Sequence, residues 1–72
     1  MTALSDDEKA MLALEAQTWI YPGAKEAAIR ERFDVSPTRY RQMLLALIRT
    51  ERAMAHDPIT VKRLLRQAGR GR

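Results

Sequence analysis

Ile29-Arg30-Glu31-Arg32-Phe33-Asp34-Val35-Ser36-Pro37-Thr38-Arg39-Tyr40-Arg41-Gln42-Met43-Leu44 is the stretch whose reading decides the fold of this chain. Ile29 and Phe33 stand four residues apart and share one face of a helix. Val35 offers an apolar contact at a turn, and Tyr40, Met43, Leu44 and Leu47 continue an inward stripe at helical spacing. Ser36-Pro37 reads as a helix start, because the serine oxygen accepts an open backbone N–H and the fixed φ of proline suits the first helical position. Two short helices locked at a steep angle by a tight turn are the sequence form of a helix-turn-helix. Asp34 stands at the turn position that calls for left-handed backbone, which glycine adopts most easily. Arg30 stands where the two helices approach closely and a small residue is the usual occupant.

The second helix of the pair presents Thr38, Arg41, Gln42 and Leu45 outward, with Arg39 to one side. Its first turn offers open N–H groups that favour a phosphate. Short polar groups, a guanidinium and an amide able to make paired hydrogen bonds are what a major-groove reader needs. A purely structural helical hairpin would carry the same apolar stripe.

Charge divides unevenly along the 72 residues. Residues 1–23 hold one lysine against four acids, net −3, whereas residues 24–72 hold twelve Lys/Arg against five acids, net +7, which gives +4 overall. The basic charge therefore lies on and after the motif and suits a polyanion footprint. A chain this short is a single domain near the lower limit for a core without metal or disulfide, so a partner subunit is expected. With no cysteine and one histidine, disulfides and the usual zinc-ligand sets are excluded. No apolar run is long enough to cross a bilayer and the N-terminus does not resemble a signal peptide, so the reading is cytoplasmic.

Outward from the motif, Ser5-Asp6-Asp7-Glu8 is a capping box opening a first helix over about 6–20, with Met11, Leu12, Leu14, Trp19 and Ile20 as its buried side and Pro22-Gly23 as its end. The second helix is expected over 24–33 and the third over 37–53. Asp57-Pro58 opens a fourth over 58–68, whose apolar content is Ile59, Val61, Leu64 and Leu65. The predicted fold is an all-α four-helix bundle containing a helix-turn-helix, one domain over 1–68, with a short basic tail at 69–72. Leu45 lies off the inward stripe of the third helix. The fourth helix, a second copy of the chain or the methyl group of a thymine are the possible covers for it.

The chain also resembles a small family of uncharacterised actinobacterial and actinophage proteins, a domain of unknown function with a helix-turn-helix-like fold. The resemblance runs from Leu4 to Leu65 through Leu14-Glu15-Ala16-Gln17-Thr18-Trp19, Gly23-Ala24-Lys25-Glu26-Ala27-Ala28-Ile29-Arg30-Glu31, Ser36-Pro37-Thr38-Arg39-Tyr40, Leu47-Ile48 and Asp57-Pro58. It implies the fold and DNA binding, and it brings no catalytic residues.

Glu15, one turn before Trp19, falls on or beside the buried face of the first helix and needs a partner there; Arg30 is the expected one. His56 has no companion at metal-ligand spacing, Ser5 and Ser36 are caps, and no glycine-rich phosphate loop is present, so neither an enzyme, a metal nor a cofactor is expected. Trp19 and Tyr21 read as closing one end of the core. The functional expectation is a duplex-DNA-binding regulator or phage-type control protein. Thr38, Arg41 and Gln42 would read bases, and Ser36, Arg39, Lys62, Arg63 and Arg66 would contact phosphate. It would act as a homodimer on a two-fold site. The alternative is a protein-interaction module binding transcription machinery or another protein, and for a dimer or a partner alike the expected contact surface is Leu45, Ile59 and Leu65. No membrane and no small-molecule substrate are expected among its partners.

Overall fold

A computed structural model describes residues 3–70 of the chain. It is all-α, with five helices: α1 (Asp6–Ala16), α2 (Pro22–Phe33), α3 (Pro37–Leu47), α4 (Glu51–His56) and α5 (Pro58–Arg70). Three of the starts follow from local chemistry legible in the sequence, and a fourth has a cap that is not. Ser5 and Glu8 close the capping box, each side chain accepting from the other residue's backbone N–H. Ser36 accepts from the N–H of Arg39, and the Asp57 carboxylate accepts from the N–H of Thr60. Thr50 supplies the cap of α4.

Four boundaries correct the expectation. α1 stops at Ala16 rather than near residue 20, because its last carbonyls find other donors: Trp19 Nε1–H turns back to the Leu14 carbonyl at 2.9 Å, and the Arg63 guanidinium donates to the Glu15 carbonyl. Ile20, released from the helix, is 80% exposed instead of buried, and Tyr21 is 72% exposed instead of closing the core; only Trp19 packs against it. Pro22 does not merely end α1 but occupies the first turn of α2, where its missing N–H costs nothing.

The expected 37–53 helix is two helices. The hydroxyl of Thr50 donates to the Leu47 carbonyl at 2.7 Å and accepts from the Ala53 N–H at 3.2 Å, so one side chain closes α3 and opens α4. α4 then brings Ala53 into full burial. Gly69 stays helical within α5, so the expected tail is helix through Arg70, while its last two positions, 71 and 72, lie outside the described residues.

The core joins Met11, Leu12 and Leu14 of α1 to Ile29, Tyr40, Leu44, Leu47 and Ile48, with Ala53, Val61 and Leu64 behind them. α1 and α4 pack against α5, and α2 against α3. Ion pairs tie α1 outward at its start: Asp7 to Arg32 of α2 at 2.9 Å and Glu8 to Arg52 of α4 at 2.8 Å. The bond from Arg52, followed by that from the Ser5 backbone, holds the Glu8 carboxyl below its ordinary range.

The double role of Thr50 generates a test. Thr50→Val keeps the shape and removes both hydrogen bonds, and it should lower stability by about 1–2 kcal/mol in urea denaturation. An unchanged midpoint would mean that α3 and α4 are separated by something other than this hydroxyl.

Candidate nucleic-acid interface

The turn between α2 and α3 is made by Asp34, Val35 and Ser36. Asp34 has φ 55° and ψ 44°, the left-handed conformation expected of it, and its N–H donates to the Arg30 carbonyl at 2.9 Å. It is the one residue with positive φ among those described. Phe33 and Tyr40 bracket the turn with ring centroids 5.7 Å apart, so α2 and α3 are braced by an aromatic pair as well as by the cap.

What fixes α3 against the rest is Glu15. Its carboxylate accepts from Tyr40 Oη–H at 2.6 Å and from Lys25 Nζ at 2.9 Å, so a buried group of α1 holds one side chain from α2 and one from α3. Burial, and then this bond to a carboxylate, push the Tyr40 phenol far above its ordinary pKa and keep it a donor. The expected Glu15–Arg30 pair is not formed: Arg30 is exposed, and Lys25 holds the carboxylate instead. The signal for Lys25 was present, since it precedes the buried Ile29 by four residues and shares its face of α2, whereas Arg30 follows Ile29 by one residue and is turned about 100° away.

Held in this way, α3 leaves Thr38, Arg41 and Gln42 exposed, with Arg39 also exposed to the side. Thr38, Arg41 and Leu45 line a groove of about 650 Å³ whose other walls include Lys25 of α2 and Leu64, Gln67 and Ala68 of α5. A second, smaller hollow between α3 and α5 is lined by Arg41, Leu45, Arg49, Leu65 and Ala68, with Ile48 and Gly69. Arg49 was not among the expected contacts. It follows Leu45 by four residues and Gln42 by seven, the spacing that places it on the same face.

The phosphate set is brought together only in part. Lys62 and Arg66 are exposed on α5, but Arg63 is turned to the Glu15 carbonyl at the end of α1, a favourable place for a cation and a different one from that expected. Ser36 is exposed, with its oxygen already engaged by the Arg39 N–H. Of the apolar trio, Leu45 and Leu65 share the smaller hollow, whereas Ile59 is 81% exposed and lines neither hollow.

The electrostatics are one-sided. Neither α3 nor α5 contains an Asp or Glu, and residues 35–50 contain none either. The ion pairs among the described residues use Lys25, Arg32 and Arg52 and leave Arg39, Arg41, Arg49, Lys62 and Arg66 without an acidic partner, although Glu15 and Glu26 stand on the α1 and α2 side of the larger groove. Among the described residues no group of three or more His, Cys, Asp or Glu could hold a metal ion, and no helix is long and apolar enough to cross a membrane.

Residues 3–72 match the family described as "Protein of unknown function (DUF3263)", and the chain belongs to that family. No curated protein and no solved structure matches it.

Glu15→Ala should cost about 3 kcal/mol, because it strands Lys25 and the Tyr40 hydroxyl together, while Arg30→Ala should stay within about 0.5 kcal/mol of wild type. A double-mutant cycle between Glu15→Ala and Tyr40→Phe should give a coupling on the order of 1 kcal/mol in urea denaturation. Zero coupling, or an Arg30 effect as large as that of Glu15, would contradict the arrangement.

Proposed function

We propose that this member of the family binds duplex DNA, laying α3 in the major groove with Thr38, Arg41 and Gln42 toward base edges, and acts as a regulator or control protein rather than as an enzyme. The observation that carries the reading is the absence of any acid from α3 and α5, on which, with Arg49 just past the end of α3, five exposed cations lack acidic partners. Such a face concentrates positive potential where a polyanion would lie. Arg39, Lys62 and Arg66 are placed to hold phosphates, and Arg49 joins them; Arg63 leaves this set because its guanidinium serves α1.

The turn supports the same reading. Left-handed Asp34 and the Ser36 cap stop α2 and restart α3 within three residues, so the first turn of α3 projects from the surface with Thr38 exposed. Specific binding to a two-fold site calls for a homodimer, since one domain of this size contacts a single half-site.

The test is fluorescence anisotropy with duplex DNA over a salt series. The logarithm of affinity should fall with the logarithm of salt concentration with a slope of roughly −3 to −5, and Lys62→Ala or Arg66→Ala should each reduce the slope by about one. Arg41→Ala should cost about 1–3 kcal/mol at a preferred site and less on random duplex. Absence of binding at low salt, or an affinity indifferent to salt, would overturn the proposal.

A further inference from the structure

We infer that Leu45 reads the 5-methyl group of a thymine, close to a guanine taken by Arg41; the inference rests on the duplex-DNA reading above and adds the base class that the site selects. Leu45 is half-buried and forms part of the walls of both hollows, so α5 covers only one of its flanks. The uncovered flank lies between Arg41, four residues before it, and Arg49, four residues after it. An apolar side chain between two guanidiniums needs a partner that is anionic at its margins and apolar at its centre. The major-groove edge of a thymine, with phosphates on either side, is such a partner.

The other occupants that the sequence leaves open fit less well. The fourth expected helix, α5, is in place and, with the core against which Leu45 packs, still leaves part of that side chain uncovered. A second copy docking here through a two-fold interface would set this patch against itself. At the smaller hollow Arg41 and Arg49 of one protomer would then meet the same residues of the other, and no acid lines that hollow to pair with them; Glu26 stands across the larger groove, on α2. Like charges brought together in this way oppose docking, whereas a polyanion is drawn in.

The rise from Arg41 to Leu45 is about 6 Å, which spans just under two base pairs. Duplexes selected from a random library by the full chain should therefore fix a thymine within about two base pairs of a guanine. Replacing that thymine by deoxyuridine removes only the methyl carbon and should weaken wild-type binding about fourfold, the worth of burying one such carbon. The comparison uses the wild-type protein, so no folding defect can mimic it; L45A should then bind the two duplexes equally. Failure to bind any duplex overturns the DNA reading and this inference with it. Strong, salt-dependent duplex binding with no thymine preference or no methyl effect overturns the Leu45 assignment alone. A micromolar dimer in sedimentation that L45A dissolves, or an acidic peptide that binds wild type and not L45A, would give Leu45 to another chain and overturn it likewise.

Discussion

The carboxylate of Glu15 is the point on which the geometry of the molecule depends. One buried acid of α1 holds the ammonium of Lys25 from α2 and the phenol of Tyr40 from α3, so the three helices are fixed relative to one another by two short polar bonds inside an apolar core. A buried charge left alone would be costly, and that cost makes the arrangement specific: any packing that separates α1 from either partner strands the carboxylate. The carbonyl of the same residue accepts from Arg63, which joins α5 to the end of α1. The orientation of α3 is thus set by these bonds to Glu15, whose carboxylate, with Lys25 and Tyr40, forms the inner wall of the larger groove.

That anchoring also sorts the charges. The acids are spent at the first helix and its neighbours: Asp7 on Arg32, Glu8 on Arg52 and the start of α1, Asp57 on the start of α5. Thr60 is the first cause holding Asp57 below the ordinary carboxylate range, as Arg52 is for Glu8. Arg39 and Arg41 of α3 and Lys62 and Arg66 of α5 are left exposed without an acidic partner, and a groove walled by α2, α3 and α5 has Ile29, Leu44, Ile48 and Leu64 among its lining.

Much of this was legible in the sequence because it is local. The caps at Ser5, Ser36 and Asp57 each follow from two or three adjacent residues, and the left-handed turn at Asp34 follows from the spacing of the apolar stripe on either side. The break at Thr50 was not legible, because Tyr40-Arg41-Gln42-Met43-Leu44-Leu45-Ala46-Leu47-Ile48 is a good helical run and nothing nearby in sequence stops it. A hydroxyl able to serve two helix ends looks, in sequence, like any threonine. The partner of Glu15 lies across ten residues for Lys25 and twenty-five for Tyr40. Which face of α2 turns inward decides between Lys25 and Arg30, and that face is marked by the buried Ile29, four residues after Lys25 and one before Arg30. Ile20 and Tyr21 were misplaced for a related reason, since the early end of α1 depends on Trp19 and Arg63 closing its carbonyls.

The central claim is that the outward faces of α3 and α5 are the surface that meets a ligand, and that the packing of α1 and α4 is scaffold. Backbone amide NMR of the chain titrated with a short duplex tests it most directly. The account predicts shifts concentrated at Thr38, Arg41, Gln42, Leu45, Arg49, Lys62 and Arg66, with Glu8, Met11 and Arg52 unmoved. Shifts centred on α1 and α4, with α3 silent, would contradict it.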